Sequence, residues 1–114
     1  QINPDSADAW SGRGVLYARL NDRDAALADA REALRLSERP ATRYQVAGIY
    51  AMTSRTHAED KREALSLLDG ALRDGFGFEY LEKDRELDPI RKDAEFKSTV
   101  DAARAYRNSL TKTN

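Results

Sequence analysis

The residues of this sequence that could do chemistry are a group of carboxylates near its carboxyl end and a single histidine. Asp84, Asp88 and Asp93 surround Arg91 at spacings that could form a carboxylate site. We interpret them as helix caps and an exposed ion pair, because such pairs are common in proteins and individually weak. His57 is expected at the polar start of a helix, where it is solvated and acts neither as a metal ligand nor as a base.

Two glycine motifs could suggest phosphate binding. Gly12-Arg13-Gly14 begins like a dinucleotide-binding loop, but it lies inside a predicted helix, without a preceding strand or a third glycine. Asp74-Gly75-Phe76-Gly77 is predicted to be a turn. Cysteine is absent, which excludes disulfides and thiolate metal sites. We therefore predict that the chain is not an enzyme and has no catalytic residues, cofactor or metal.

Charge and hydropathy limit the partners. Nineteen Lys and Arg residues stand against twenty Asp and Glu among the 114 residues, and the balance is nearly even in each half, with 8 basic and 7 acidic residues in 1–57 and 11 and 13 in 58–114. Such a balance disfavours binding to nucleic acid or to an anionic membrane. No apolar run approaches the roughly 18–20 residues of a membrane span. We expect no nucleic-acid or membrane partner and a cytoplasmic location. Because the sequence opens at Gln1 without an initiator Met, we predict that it is a piece of a longer protein.

An internal repeat organises the first two thirds of the sequence. Its first half recurs at a spacing of 34 residues: Trp10 with Tyr44, Gly14 with Gly48, and Tyr17 with Ala51. Its second half recurs at a spacing of 38 residues: Ala26, Leu27, Ala33, Leu34 and Arg35 with Ala64, Leu65, Ala71, Leu72 and Arg73. The second copy has therefore gained four residues between its halves.

Each half of the repeat has apolar residues at helical spacing. Five helices are predicted, near residues 6–20, 23–36, 40–53, 57–74 and 94–109, without a sheet. Thr56 followed by Glu59 matches a capping box, so the four additional residues are predicted to extend the fourth helix backwards to His57.

The glycines of the repeat require a packing reason, because glycine inside a helix costs roughly 1 kcal/mol relative to alanine. We expect Gly14 and Gly48 where the two helices of each copy cross closely, opposite Ala26 or Ala64.

These positions resemble the tetratricopeptide repeat (TPR), a helix–turn–helix with the pattern W-x2-L-G-x2-Y, A-x3-F and P. The matching residues are Trp10, Gly14, Tyr17, Ala26 and Ala33, and the departures are Arg13, Ala30 and Glu38. Asn3-Pro4 resembles the proline that closes a preceding repeat. The resemblance implies an all-α, TPR-like right-handed superhelix of antiparallel helical hairpins, with two repeats and a C-terminal capping helix.

Within one domain of residues 1–114, the resemblance places repeat 1 at about 7–38, repeat 2 at about 41–76 and the cap at 77–114. The stretch from Gly75 onward resembles the segment that terminates TPR arrays in some bacterial multidomain proteins. In those proteins the arrays often follow a serine/threonine kinase or a nucleotide cyclase. The resemblance implies a regulatory or scaffolding tail.

The first helices of successive repeats are expected to line a concave groove. We predict that a protein or peptide partner binds there to Ser11, Val15, Arg19, Gln45 and Ile49, with the two apolar side chains as the floor. TPR domains that clamp a chaperone's C-terminal carboxylates have Lys and Asn at several of these positions, so that partner is not expected.

Two function hypotheses follow. The first is a protein–protein interaction or scaffolding module that uses the groove. The alternative is a structural end cap, or a regulatory or self-association segment, of a larger bacterial signalling enzyme such as a serine/threonine kinase. A weak homodimer through the N-terminal hairpin is also predicted, because exposed apolar faces at repeat ends commonly associate.

Overall fold

The computed structural model describes residues 5–111, and this part of the chain is all-helical. Its α-helices are α1 (Ala7–Arg19), α2 (Arg23–Leu36), α3 (Pro40–Thr53), α4 (Asp60–Arg73), α5 (Asp88–Arg91) and α6 (Ala94–Thr111). The all-α class and the positions of α1, α2, α3 and α6 are confirmed, while the four-residue α5 is additional to the five predicted helices and begins at the predicted cap residue, Asp88. The prediction for Asn3-Pro4 lies outside the described residues.

The first hairpin consists of α1 and α2, which pack against each other. Ser6 caps α1 by accepting a hydrogen bond from the backbone N–H of Ala9. Asp22 caps α2 in the same way, by accepting a hydrogen bond from the backbone N–H of Ala25. Between the helices Asn21 adopts a left-handed backbone with φ of 63°, which lets the chain reverse within three residues.

The second hairpin consists of α3 and α4. The prediction that Thr56 and Glu59 form a capping box is wrong, because α4 begins at Asp60 and Glu59 makes no side-chain cap hydrogen bond. The buried carboxylate of Asp60 accepts hydrogen bonds from Thr53 at 2.8 Å and from Arg23 at 2.7 and 2.9 Å. These bonds fix the start of α4 beside the end of α3. The additional residues of the second copy therefore lie in the loop, which forms turns.

The two repeat glycines have different neighbours. A Cβ on Gly14 would lie 3.3 Å from both the carbonyl oxygen of Ala26 and the Cβ of Asp29, so the predicted close crossing with α2 is confirmed. For Gly48 the prediction is wrong, since the nearest atoms belong to Glu86 and not to Ala64. The second glycine makes room for a later part of the chain.

That later part is the connecting segment, residues 74–93, which carries two short 3-10 helices, Phe78–Tyr80 and Arg85–Leu87, and α5. The segment packs on α3 through Arg85–Leu87 and α5, and α6 packs on α4. Three of its side chains enter the core: Leu81, Leu87 and Ile90.

Two glycines allow the segment to leave α4. Gly75 has φ of 91°, the left-handed conformation that glycine commonly adopts just beyond a helix, and it lies in the predicted turn. Gly77 has φ of 113°, and a Cβ there would come within 2.5 Å of the Tyr44 ring. Tyr44 in turn packs edge-on against Phe76, with ring centroids 5.7 Å apart.

Candidate functional site

The structure places the two apolar residues of the predicted binding site in the core. Ile49 is fully buried. A Cβ placed on Gly14 would lie 2.8 Å from Ile49 Cδ1, so the Ile49 side chain fills the contact between α3 and α1. Val15 is buried as well. The expectation that these side chains form an open apolar floor is therefore wrong, because the pairing of the two first helices and the packing of the connecting segment on α3 enclose them.

The three polar residues of the predicted site are held in different ways. Ser11 is fully buried, and its hydroxyl donates to the side-chain oxygen of Gln45 across the α1–α3 contact. Arg19 is exposed at the end of α1 and pairs with Glu86 of the connecting segment at 2.7 Å. Of the five predicted residues Arg19 is exposed, Gln45 is half-buried, and the other three are buried.

The carboxylates near the carboxyl end are used separately. Arg91 donates to the Asp88 carboxylate at 3.0 Å and to the backbone carbonyls of Leu81 and Asp84, which ties the connecting segment to itself. Asp93 pairs with Lys61 of α4 at 3.2 Å. The ion-pair part of the interpretation is thus confirmed for Arg91. The prediction that Asp88 caps a helix is wrong by one residue. Leu87 is the cap, and Asp88 is the first residue of α5.

A cleft that the sequence reasoning missed lies between the carboxyl ends of α1 and α3 and the connecting segment. Its volume is about 530 Å³, and it is lined by Arg19, Met52, Arg55, Arg85, Glu86, Asp88 and Pro89. The sequence offered only a weak signal for it, because Arg19 ends α1 and Arg55 lies two residues beyond α3, but Arg85 comes from a segment with no repeat.

Glu86 is the carboxylate at the base of this cleft. Burial raises its pKa, the neighbouring Asp84 acts in the same direction, and the hydrogen bond from Arg19 opposes them. The ion pair between Glu86 and Arg19 links the connecting segment to the first hairpin. Because the Glu86 carboxylate is bound by Arg19, it does not compete with an anionic ligand for the other arginines of the cleft.

A second surface that the sequence reasoning did not single out is the open face of α1, defined by Gly12, Leu16 and Leu20. Leu16 is 56% exposed and Leu20 is 75% exposed, one helical turn apart. No heavy atom comes within 4 Å of the position a Cβ on Gly12 would take, beyond its own helix backbone. Apolar residues four apart in the sequence gave a helical signal, but they could not show that the face stays open.

Beside this face lies an ordered cation. The guanidinium of Arg13 sits over the rings of Trp10 and Tyr17, 5.2 and 5.3 Å from their centroids. It also donates two hydrogen bonds to the buried carboxylate of Asp29, at 2.8 and 2.9 Å. These contacts pair the Arg13 charge with Asp29 and hold its guanidinium against both rings, next to Leu16 in the sequence.

Within residues 5–111 no three His, Asp or Glu side chains are grouped as a metal site would require. No helix in the same range has the length and apolar character needed to cross a membrane. No protein-family model matches the chain, and neither a curated protein nor a solved structure does.

Proposed function

We propose that this chain is a protein-interaction or scaffolding module without catalysis of its own, and that it docks through the open face of α1. The proposal rests on one observation, which is that the equivalent face of α3 is buried. Residues 46 and 50 of α3 and its C-cap residue 54 correspond to residues 12, 16 and 20 of the open face at the repeat spacing of 34. Val46 and Tyr50 are buried and Ser54 is half-buried, whereas Leu16 and Leu20 are both more than half exposed.

The repeat also supports a specific occupant for this face. α3 packs against both helices of the first hairpin. Burial raises the pKa of Tyr50, Glu63 and Asp60 of α4 add to that rise, and Arg31 and Arg23 of α2 oppose it, so the ring lies near both second helices. The equivalent face of α3 is therefore covered by the first hairpin, α1 and α2, of the same molecule. We assign the same class of partner, an antiparallel helical hairpin, to the open face of α1. In this proposal the hairpins stack as a TPR-like right-handed superhelix.

One observation favours the second candidate function, an end cap or regulatory segment of a larger signalling protein. The connecting segment packs on α3 and α6 packs on α4, so the chain's own carboxyl-terminal residues cover part of the surface of these two helices. A repeat array needs such a piece at its end. The two functions are compatible, since a capped unit can dock through its open face. The link to a bacterial kinase or cyclase rests on the sequence resemblance.

The chain's own first hairpin is a suitable probe. Repeating residues 7–40 in line ahead of Ala7 preserves the 34-residue spacing and places a second hairpin next to the open face. Burying Leu16 and Leu20 contributes about 2–4 kcal/mol. We expect the tandem protein to have a larger free energy of unfolding in urea than the parent.

A cysteine at residue 16 reports directly on the face, because the chain contains no other cysteine. We expect the thiol of Leu16→Cys to react with a maleimide much more slowly in the tandem protein than in the parent. Leu110→Cys, on the exposed part of α6, is the matched control and should react equally in both. Equal reactivity at residue 16 in both proteins, without a gain in stability, would refute docking of a hairpin on this face.

A further inference from the structure

We infer that the cleft between the carboxyl ends of α1 and α3 and the connecting segment binds an acidic peptide through its carboxylate or phosphate groups. The inference does not rest on the open face of α1, because the two surfaces share no residue. It is carried by the charges that line the cleft, by the way one arginine is held, and by the apolar side chains between the charges.

The cleft contains more guanidinium groups than free carboxylates. Arg19, Arg55 and Arg85 all line it. Of the two carboxylates present, Glu86 is paired with Arg19 and Asp88 is paired with Arg91 at 3.0 Å. Within residues 5–111 neither Arg55 nor Arg85 forms an ion pair with a carboxylate. The cleft therefore offers two cations that an anionic ligand can reach without displacing a protein carboxylate.

Arg55 is held in place by backbone groups. Its Nε donates to the carbonyl of Met52 at 3.1 Å, and one Nη donates to the carbonyl of Ala18 at 3.5 Å. These bonds join the guanidinium to the ends of both α3 and α1 and leave further N–H groups unused. A guanidinium that is already positioned loses less side-chain entropy on binding, and its planar donors match a carboxylate or a phosphate.

The space between the cations suits a peptide side chain. Met52 and Pro89 give apolar surface inside a cleft of about 530 Å³, within the roughly 300–1,000 Å³ of typical ligand sites. An acidic side chain can lay its methylene groups on this surface while its anionic group meets Arg55 and Arg85.

Fluorescence anisotropy with three labelled peptides of equal length tests the inference on the whole chain. One peptide contains three glutamates, the second contains glutamine at those places, and the third contains one phosphoserine. We expect the glutamate peptide or the phosphoserine peptide to bind better than the glutamine peptide, and binding to weaken as salt is added. The stronger of the two anionic peptides identifies the source of the anionic group.

Variants separate the cleft from general attraction to positive charge. The double variant Arg55→Gln, Arg85→Gln should lose about tenfold or more in affinity, as expected for charge-assisted hydrogen bonds. The double variant Arg31→Gln, Arg62→Gln makes the same change of net charge on exposed positions of α2 and α4, and it should bind like the parent. Thermal melts identify any variant that is misfolded, and the single variant Arg85→Gln, at the exposed first residue of the second 3-10 helix, then replaces the double one.

Glu86→Gln provides a test in the opposite direction. Removing the carboxylate frees Arg19, so the anionic peptides should bind several-fold more tightly. The inference is overturned if glutamate, phosphoserine and glutamine peptides bind alike. It is also overturned if the control double variant loses as much affinity as the cleft variant.

Discussion

Alanine substitutions at two glycines of α1 measure how closely the first hairpin is packed. Gly12 and Gly14 lie two residues apart in the same helix, so replacing either one by alanine gains the same helix propensity, about 0.5–1 kcal/mol. At Gly12 a Cβ meets no atom within 4 Å. At Gly14 it would lie 2.8 Å from Ile49 Cδ1 and 3.3 Å from the carbonyl oxygen of Ala26. Overpacking of such a contact costs about 1–3 kcal/mol.

Because the propensity gain cancels between the two variants, their difference isolates the packing cost. We expect Gly12→Ala to stabilise the protein and Gly14→Ala to be less stable than Gly12→Ala by about 1–3 kcal/mol. Gly14→Leu, which forces the larger side chain into the same contact, should be less stable again. Urea unfolding followed by circular dichroism gives these free energies, provided that the m-values agree. Equal stability of the two alanine variants would refute the close crossing of α1 with α2 and α3.

Two further predictions concern Asp60 and the open face of α1. Arg23, helped by Thr53, holds the pKa of Asp60 below its ordinary value. The stabilisation by this carboxylate is therefore full above its unfolded pKa of about 3.9 and is lost as the pH falls through the lower, folded value. Asp60→Asn should cost about 2–4 kcal/mol at neutral pH and flatten the acid side of the stability curve, and an unchanged acid side would contradict this. Sedimentation should detect a weak, concentration-dependent dimer that Leu16→Lys abolishes, whereas a strict monomer at high concentration would exclude it.

The parts of the fold that the sequence predicted well are those governed by local patterns. The bounds of α2 and α3 follow from apolar spacing, from the Asp22 cap and from Pro40 in the first turn of α3. The start of α4 was misjudged because the residue that fixes it, Asp60, is bound by Arg23 from another hairpin. A local cap rule contains no information about a partner 37 residues away.

The candidate sites were harder to predict because they depend on contacts between distant segments. The spacing of 34 residues aligned Val15 with Ile49, but it could not show that both are buried. Gly48 looked like a second copy of Gly14, yet it accommodates Glu86. The connecting segment has no repeat and little helical periodicity, so its placement over α3 follows only from the whole structure.

The coverage of α3 and α4 by the chain's own carboxyl-terminal part limits how copies of the molecule can assemble. A head-to-tail contact joins two different surfaces, and it produces open fibres when the rotation between copies does not close a ring. The surface that would receive a neighbouring α1 is already filled by side chains such as Leu87, Ile90 and Phe96. Within residues 5–111 this coverage leaves a face-to-face contact for copies that meet through α1, and a two-fold pair of that kind would not grow into a filament.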